Sequence, residues 1–380
     1  MTANDSGPAI PASFRDDKLD RAWCLLARWT EEDEWPAVAA AVGDDAGIRP
    51  TVAFGRQTAA EDGPPASQDT IFLIASPTKP IAALAVLLLA ERGELRLGDP
   101  VQKFLPDFNR QGKGAITLAH CLTHTSGLPD MPPDNAELRA RGAPLSEFLA
   151  SVRELKPAFL PGRGVQYQSM GFLLLGEVVH QVTGKRLPDF LRSEVFAPLG
   201  MRDTALGMPR EWEQPGAEER VSRIAELRLP KQDDPHSNVW NTPYWRRLGA
   251  PWGGLLSTAG DLAKFCGHLL AIHRGEDGII GGATLEAATA NQLASMPHVP
   301  ETARRCQPWG YGWRLNWPND PQTFGDLLSP ASYGHWGATG TMVWIDPARQ
   351  VFAGMLTTQP LDFERGKWVH FSNAVCAALA

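Results

Sequence analysis

The chain has 380 residues, of which 43% are hydrophobic and 21% are charged, and its formal net charge at pH 7 is −7. This composition is typical of a globular protein and excludes a disordered or fibrous chain. The length allows two domain-sized units, and the negative charge argues against nucleic acid or an anionic membrane surface as a partner. We therefore expect a small-molecule substrate, while the oligomeric state stays open.

The N-terminal residues contain neither the basic segment nor the apolar segment of a secretory signal, which predicts a cytoplasmic protein. The longest apolar run, residues 81–90, is about half as long as a membrane span and predicts a buried helix instead. The cysteines are odd in number and form no Cys-x-x-Cys pair, which predicts buried reduced thiols rather than disulfides or a zinc site. They are Cys24, Cys121, Cys266, Cys306 and Cys376.

In the first part of the chain the pattern predicts a helix, a hairpin and a short strand. Leucine and tryptophan recur at helical spacing between residues 19 and 29. Two short apolar runs, 37–42 and 51–54, flank a turn of Gly and Asp and are typical of a hairpin. A third β-like run, 71–75, leads directly into the segment Ser-Pro-Thr-Lys.

The middle of the chain predicts short helices joined by loops. Residues 81–92 are apolar almost all round and are followed by Gly93, which suits a left-handed helix end, so we expect a fully buried helix there. Residues 169–183 predict another apolar helix, which stops at Gly184. Residues 211–245 are charged, aromatic and weakly periodic, and we interpret them as a loop-rich insertion.

Strand signals return near the C-terminus. A helix-start signal opens a helix over residues 257–271. β-like runs follow at residues 311–315, 341–345 and 351–357. A last helix, with apolar residues at helical spacing, contains Trp368, Phe371 and Val375.

This order of elements predicts an α+β fold. Strands at both ends of the chain imply one antiparallel sheet, formed by the N- and C-terminal segments and flanked by helices, with a mainly helical domain inserted between them. We place the sheet domain at residues 14–93 and 250–380, and the inserted domain at residues 94–249.

Ser76 and Lys79 form the first candidate for chemistry. They are three residues apart at the start of a buried helix, so their side chains lie on the same face. A lysine in an apolar site has its ammonium form disfavoured, and the neutral amine can accept the proton of the serine hydroxyl. The backbone N–H of Ser76 can point at a developing oxyanion. The alternative is a capping serine beside a lysine that reaches solvent.

Tyr167 and Ser169 precede the second apolar helix. The phenol of Tyr167 can move a proton if a nearby lysine cation lowers its pKa. We expect Ser169 to hydrogen-bond back to Lys79. Taken singly, Tyr167 is equally consistent with a packed aromatic residue.

A glycine-rich segment, residues 333–340, stands just before the predicted strand 341–345 and contains His335, Trp336, Gly337 and Ala338. Glycines on both sides of the histidine let the backbone pass close to a ligand, and the N–H of Ala338 can supply a second oxyanion donor. The alternative is a turn with a surface histidine.

The three segments together resemble the serine β-lactamase and penicillin-binding superfamily, in the branch that contains class C β-lactamases and family VIII carboxylesterases. Three motifs carry the resemblance in the right order, and they are Ser76-Pro77-Thr78-Lys79, Tyr167-Gln168-Ser169 and His335-Trp336-Gly337. Three further phrases are similar to the family, and they are Leu122 to Leu128, Pro198 to Met201 and Trp252 to Thr258. The likeness extends from about residue 20 to the C-terminus, apart from residues 211–245.

The resemblance implies roles for these residues. Ser76 is expected to be acylated, with Lys79 and Tyr167 as general base and proton relay, and with the Ser76 and Ala338 amides as the oxyanion hole. No metal and no organic cofactor is implied. Ser169 replaces the asparagine usual in the β-lactamases.

A second departure concerns charge. His335-Trp336 replaces Lys-Thr, which removes a cation that would pair with a substrate carboxylate. We therefore expect a carboxylesterase that acts on short-acyl esters. A β-lactamase or a D-amino-acid amidase or peptidase with the same mechanism is the first alternative. A catalytically silent binding protein is the second.

Two further expectations concern the surroundings of Ser76. Aromatic residues are expected to build an acyl or alcohol pocket, and they are Trp240, Tyr244, Trp245, Trp252 and Trp336. His120 and His124, four residues apart, could touch one metal ion, but no acidic ligand stands near them in the sequence, so no metal site is expected.

Overall fold

A computed structural model describes residues 13–58, 60, 62–229, 239–316, 324–362 and 366–380. The strands are β1 (Ala37–Asp44), β2 (Gly47–Ile48), β3 (Val52–Gly55), β4 (Phe72–Leu73), β5 (Ala205–Leu206), β6 (Leu255–Ser257), β7 (Arg314–Leu315), β8 (Tyr333–Gly337), β9 (Thr341–Asp346) and β10 (Val351–Thr357). The α-helices are α1 (Asp16–Glu31), α2 (Thr78–Glu91), α3 (Leu118–Leu122), α4 (Asn135–Ala140), α5 (Leu145–Glu154), α6 (Met170–Thr183), α7 (Leu187–Leu191), α8 (Glu218–Ser222), α9 (Pro243–Leu248), α10 (Ala259–His273), α11 (Gly282–Thr289), α12 (Glu301–Cys306) and α13 (Lys367–Ala377).

The main sheet joins the two ends of the chain. Its strands run antiparallel in the order β2-β1-β10-β9-β8-β7, and β3 also pairs with β1. Strands β4, β6 and β5 form a separate small sheet. The prediction of an α+β fold with an antiparallel sheet from both termini is therefore confirmed, while the exact boundaries of the two domains stay a prediction.

Both faces of the main sheet are covered. Along β1, Ala37, Ala39 and Ala41 join the large apolar cluster that contains α2 and α10, whereas Val38 and Val42 join a second cluster with α1 and α13. Because successive side chains of a strand point to opposite faces, this alternation places helices on both sides. The strand is consequently buried along its whole length.

Helix α2 carries Lys79 and begins two residues after Ser76. It begins at Thr78, earlier than predicted, and every residue from Thr78 to Leu89 is buried. Gly93 has a φ of 74°, the left-handed conformation that we predicted for the residue after this helix. The strand predicted at 71–75 is shorter than expected and is limited to β4, because the chain turns away from the small sheet to reach Ser76.

The described part of the segment 211–245 consists mostly of turns and loops, with α8 as a helical turn and α9 beginning at Pro243. It is loop-rich, as expected, and its being an insertion stays a prediction. Residues 230–238 lie outside the described residues. No helix in the described ranges is long and apolar enough to span a bilayer.

The cysteines differ in exposure. Cys121 and Cys266 are buried, as predicted, but Cys24 and Cys306 are exposed and Cys376 is partly exposed. The prediction of buried thiols is therefore wrong for Cys24 and Cys306, which lie on outer faces of short or amphipathic helices. Spacing in the sequence does not reveal which helix face a cysteine occupies.

Candidate active site

The turn between β4 and α2 brings Ser76 and Lys79 together. Lys79 Nζ lies 3.2 Å from Ser76 Oγ and 3.0 Å from the backbone oxygen of Trp252. The Lys79 side chain is 1% exposed. The prediction that a spacing of three at a helix start places both groups on one face is thus confirmed.

Burial changes the chemistry of the Lys79 amine. Removal from water lowers its pKa to about 7, although the carboxylate of Asp130 acts in the opposite direction. A neutral amine has two N–H groups and one lone pair. It can therefore donate to the Trp252 carbonyl while its lone pair accepts the proton of Ser76, as the sequence predicted for a lysine in an apolar site.

Tyr167 is the third group at this position. Its ring centroid lies 4.6 Å from Lys79 Nζ, and its buried hydroxyl makes no hydrogen bond of its own with any described residue. Burial and the charge of Asp130 raise the pKa of this phenol, and Ser76 and Arg314 only partly oppose the rise. The condition that a nearby lysine cation lower this pKa is not met, since burial dominates. The phenol keeps its proton at neutral pH.

His124 holds the segment that carries Tyr167. Its Nδ1 accepts a hydrogen bond from the Gln168 N–H at 3.1 Å, and its backbone oxygen accepts one from the Gln166 N–H at 2.9 Å. The imidazole is fully buried 4.7 Å from the Tyr167 ring, and burial with the nearby charge of Lys79 holds its pKa well below the usual value. His124 therefore acts as a neutral support for Tyr167.

Strand β8 closes the site from the other direction. A side chain at Gly337 would place its Cβ 2.4 Å from the backbone oxygen of Ile74 and 2.9 Å from Cδ of Pro77, so only glycine fits there. Two hydroxyls fix the following turn to the same segment, because Thr339 donates to the Leu73 oxygen and Thr341 to the Ile74 oxygen. This contact brings the end of β8 beside the nucleophile turn.

The two backbone amides expected to form the oxyanion hole lie at this contact. Ala338 follows Gly337 in the turn after β8 and is exposed. No backbone hydrogen bond from the Ser76 or Ala338 N–H occurs among the described residues. Both donors are free to bind a substrate oxygen, and their catalytic role stays a prediction.

His335 and Trp336 flank Tyr167, with ring centroids 6.0 and 6.1 Å from the Tyr167 ring. His335 is buried, contrary to the alternative of a surface histidine. Its Nδ1 donates to the Trp336 backbone oxygen at 2.7 Å, since a carbonyl can only accept. Burial and the charge of Lys79 hold the pKa of His335 well below its usual value, so the ring is neutral.

Comparison with known proteins identifies the family. The family model described as Beta-lactamase matches residues 26–370. The chain belongs to the beta-lactamase family. It is 30% identical over 321 residues to Esterase EstB of Burkholderia gladioli, which covers 78% of this chain and 79% of the esterase. It is 27% identical over 316 residues to a putative D-alanyl-D-alanine carboxypeptidase of Escherichia coli strain K12, covering 78% of this chain and 70% of that relative.

Solved structures of the family share the fold. A penicillin-binding protein homologue from Caulobacter crescentus has a TM-score of 0.77 at 23% identity, over 96% of this chain and 99% of that one. A family VIII carboxylesterase has a TM-score of 0.74 at 20% identity, over 96% and 99% of the two chains. At these identities the likeness shows the fold alone.

Ser169 does not behave as the family motif led us to expect. Its hydroxyl donates to Asp130 Oδ1 at 2.6 Å rather than bonding to Lys79, so that prediction is wrong. Asp130, an exposed residue, was missed in the sequence. Its only signal there is its position just after the family-like phrase that ends at Leu128.

A cation is present near β8 after all. Arg314 of β7 is 1% exposed, and its guanidinium lies 4.7 Å from the Trp336 ring centroid. Its charge also lowers the pKa of His335 and opposes the rise at Tyr167. We had inferred that the replacement of Lys-Thr by His335-Trp336 removes a cation. Arg314 nevertheless keeps a positive charge on this side of the site. Strand pairing between β7 and β8 places Arg314 there, and no short motif reveals it.

Of the five aromatic residues predicted to build a pocket, Trp336 lies beside Tyr167, and the other four pack elsewhere. Trp245 and Trp252 are buried and pack on each other, and the Tyr244 hydroxyl donates to the Ala143 oxygen at 2.8 Å. Their rings belong to the core of the helical region, where Trp240 also packs. Around Tyr167 the structure instead places residues close to β8 and α3, which are His124, Trp309, His335 and Trp336.

The imidazoles considered as metal ligands are used within the fold. His120 Nδ1 accepts the Thr117 N–H at 3.2 Å as part of the cap of α3. His124 Nδ1 is occupied by the Gln168 N–H. Each ring therefore fixes a loop through its Nδ1.

Proposed function

We propose that this chain is a carboxylesterase that cleaves short-acyl esters through a covalent acyl-enzyme on Ser76. The observation that carries the proposal is the pair of a serine hydroxyl and a fully buried amine 3.2 Å apart, with the pKa of the amine lowered to about 7. Such an amine is half neutral near pH 7 and can serve as a general base. The substrate is a small ester, and no cofactor takes part in the proposed steps.

The reaction proceeds in two balanced halves. Ser76 Oγ attacks the ester carbonyl as its proton moves to Lys79, and the amides of Ser76 and Ala338 stabilise the oxyanion. The C–O bond then breaks, and the protonated phenol of Tyr167 supplies a proton to the leaving alcohol. Protonated Lys79 returns a proton to the Tyr167 oxygen. Water attacks the acyl-enzyme with the same groups acting in reverse, which releases the acid and restores Ser76.

Two features support an ester rather than a carboxylate-bearing substrate. His335 is a neutral ring at the position where the family motif has a lysine. A relative with 30% identity over most of both chains carries the name of an esterase. Bond cleavage in an ester also needs less help to the leaving group than amide cleavage, which suits a phenol donor with a raised pKa.

A relative supports a second candidate. The relatives of this chain include a putative D-alanyl-D-alanine carboxypeptidase. A D-amino-acid peptidase or a β-lactamase with the same nucleophile is therefore the alternative. A cytoplasmic location remains part of the first proposal. An exported location would support the peptidase instead, because peptidoglycan lies outside the cytoplasm.

The experiment compares four substrates on one preparation. We expect hydrolysis of p-nitrophenyl acetate and butyrate with kcat/KM far above that for nitrocefin and for a D-alanyl-D-alanine peptide. Turnover of nitrocefin or of the peptide alone would replace the esterase by the second candidate. The Ser76→Ala variant is expected to lose at least about 10³-fold in activity on every substrate that the wild type hydrolyses.

A labelling experiment separates enzyme from binding protein. A fluorophosphonate is expected to add one adduct mass to the wild type and none to Ser76→Ala. Ser126→Ala is the matched control, because this buried serine lies outside the proposed catalytic groups, and its hydroxyl accepts the Leu128 N–H. A folded wild type that never labels would support a catalytically silent scaffold.

A further inference from the structure

Asp130 is held at Ser169 by two hydrogen bonds. Its Oδ1 accepts the Ser169 hydroxyl at 2.6 Å, and its backbone oxygen accepts the Ser169 N–H at 3.2 Å. The residue is exposed, whereas Ser169 is 2% exposed. The carboxylate therefore stands between solvent and the segment that carries Tyr167.

The directions of these bonds decide what the pair can offer to a substrate. A carboxylate has no proton at neutral pH and can only accept, so Ser169 must use its single O–H as the donor. The oxygen of Ser169 then has lone pairs left but no hydrogen. An asparagine at this position would present an N–H₂ donor instead. Asp130 and Ser169 together form a pair that can only accept hydrogen bonds from a substrate.

The charge of Asp130 reaches the reacting groups. It raises the pKa of both Lys79 and Tyr167, opposing burial in the first case and adding to it in the second. Of the other groups around Lys79, His124 and His335 are neutral because their pKa values lie well below the usual one. The cation Arg314 lies over the Trp336 ring.

We propose that Asp130, with Ser169, is a specificity-determining pair that favours esters carrying an ammonium group close to the scissile carbonyl. The inference rests on the proposed esterase function and names its substrate class. An ammonium group donates hydrogen bonds and carries positive charge, which matches the acceptor oxygen of Ser169 and the carboxylate of Asp130. A carboxylate at the same place meets like charge and finds no donor.

Three methyl esters with one variable substituent on the α-carbon test this selection. Alanine methyl ester carries an ammonium group there, methyl isobutyrate a methyl group, and monomethyl methylmalonate a carboxylate. Acid release is followed at a pH where direct titration shows the alanine ester to be protonated. We expect kcat/KM to fall in the order ammonium, methyl, carboxylate.

The Asp130→Asn variant keeps the size of the side chain and removes its charge. We expect the ratio of kcat/KM for the ammonium ester to that for the methyl ester to fall about three- to tenfold, the range for one partly screened charge pair. The ratio cancels any loss common to both esters. Asp130→Glu should keep most of the preference, and Asp277→Asn, on the loop after α10, should keep all of it.

The pH profile supplies a second readout. Because Asp130 raises the pKa of Lys79, removing its charge should move the acid limb of kcat/KM for methyl isobutyrate to lower pH. A residue that merely shapes the loop would lower the rates of all esters and leave both the ratio and this limb in place. That result, or a preference for the carboxylate ester in the wild type, overturns the inference.

Failure of the esterase proposal looks different. In that case the wild type hydrolyses neither the three methyl esters nor p-nitrophenyl acetate, whether or not Ser76 takes the fluorophosphonate label. An enzyme that labels at Ser76 and hydrolyses methyl isobutyrate, yet has the same ratio in the wild type and Asp130→Asn, keeps the esterase proposal and rejects the role of Asp130.

Discussion

The helix α2 side of the active site and the side formed by His124, Asp130 and Tyr167 hold their functional groups in different ways. On α2, Lys79 lies on a helix that is buried from Thr78 to Leu89, and the effect on its pKa comes mainly from exclusion of water. On the other side, short loops fix each group by individual hydrogen bonds and by charge.

The difference separates two tasks. An apolar helix can make a base, because it removes water from one amine, but it cannot select a substrate. Loops that carry exposed carboxylates and neutral rings can select, because polar groups around a site fix the orientation of a ligand. Substitutions on α2 should therefore affect all substrates alike, whereas substitutions on the loops should change their ranking.

The largest effect is expected for Lys79→Met. This change keeps the volume and removes the base, so kcat/KM should fall about 10³- to 10⁴-fold on every ester. In the wild type, activity should rise with pH through about 7, where the amine loses its proton, and this limb should vanish in the variant. A variant that keeps the limb would show that another group is the base.

Lys113→Met is the matched control. Lys113 is also fully buried, but its Nζ donates to the backbone oxygens of Arg153 and Leu155 at 2.8 and 2.6 Å. Removing it leaves two buried carbonyls unpaired, so the free energy of unfolding should fall by about 1–3 kcal/mol with activity retained. The two buried lysines thus separate a chemical role from a structural one.

Tyr167→Phe tests the other side of the site. We expect kcat/KM to fall about 10²- to 10³-fold, because the proton donor is lost. Since the hydroxyl makes no hydrogen bond with described residues, the free energy of unfolding should not fall.

Tyr244→Phe is the matched control. Its free energy of unfolding should fall by about 1 kcal/mol because the bond to Ala143 is lost, and its kcat should stay unchanged. Equal activity loss in both variants would argue against the assigned role.

The α2 side could be predicted from the sequence because its signals are local. The three-residue spacing of Ser76 and Lys79, the unbroken apolar run and Gly93 all act within one helix, so composition and periodicity suffice. The direction of the Lys79 pKa followed from the same apolar run. The antiparallel sheet from both termini followed from the order of strands and helices.

The other side depends on contacts between distant segments. Asp130 meets Ser169 across 39 residues, and Arg314 reaches Trp336 only through the pairing of β7 with β8. The raised pKa of Tyr167 has the same origin, since it depends on how deeply tertiary packing buries the ring. Pattern within one element carries no information on these distances.

Gly337→Ala tests the contact that joins the two sides. The added Cβ would lie 2.4 Å from the Ile74 oxygen, so β8 must move away from the nucleophile turn. We expect about 10- to 100-fold lower kcat as the Ala338 amide is displaced, with about 1–3 kcal/mol lost from the free energy of unfolding. Gly354→Ala on β10 is the control, because its Cβ would meet only Val343 Cγ1 at 3.5 Å. Similar losses in both variants would deny Gly337 a special contact.

The smallest effect is expected at Ala75, which precedes Ser76 and has a φ of 52°. This left-handed conformation costs a non-glycine residue about 1–2 kcal/mol, and it turns the chain from β4 toward α2. Ala75→Gly relieves that strain but loses a buried methyl group and adds freedom to the unfolded chain. The three terms nearly cancel, so the free energy of unfolding should change by less than about 1 kcal/mol.

Ala82→Gly, inside α2, is the control. It has no strain to relieve, so its free energy of unfolding should fall by about 1–2 kcal/mol. Equal losses at the two positions, measured by denaturant unfolding, would mean that the turn before the nucleophile stores no strain.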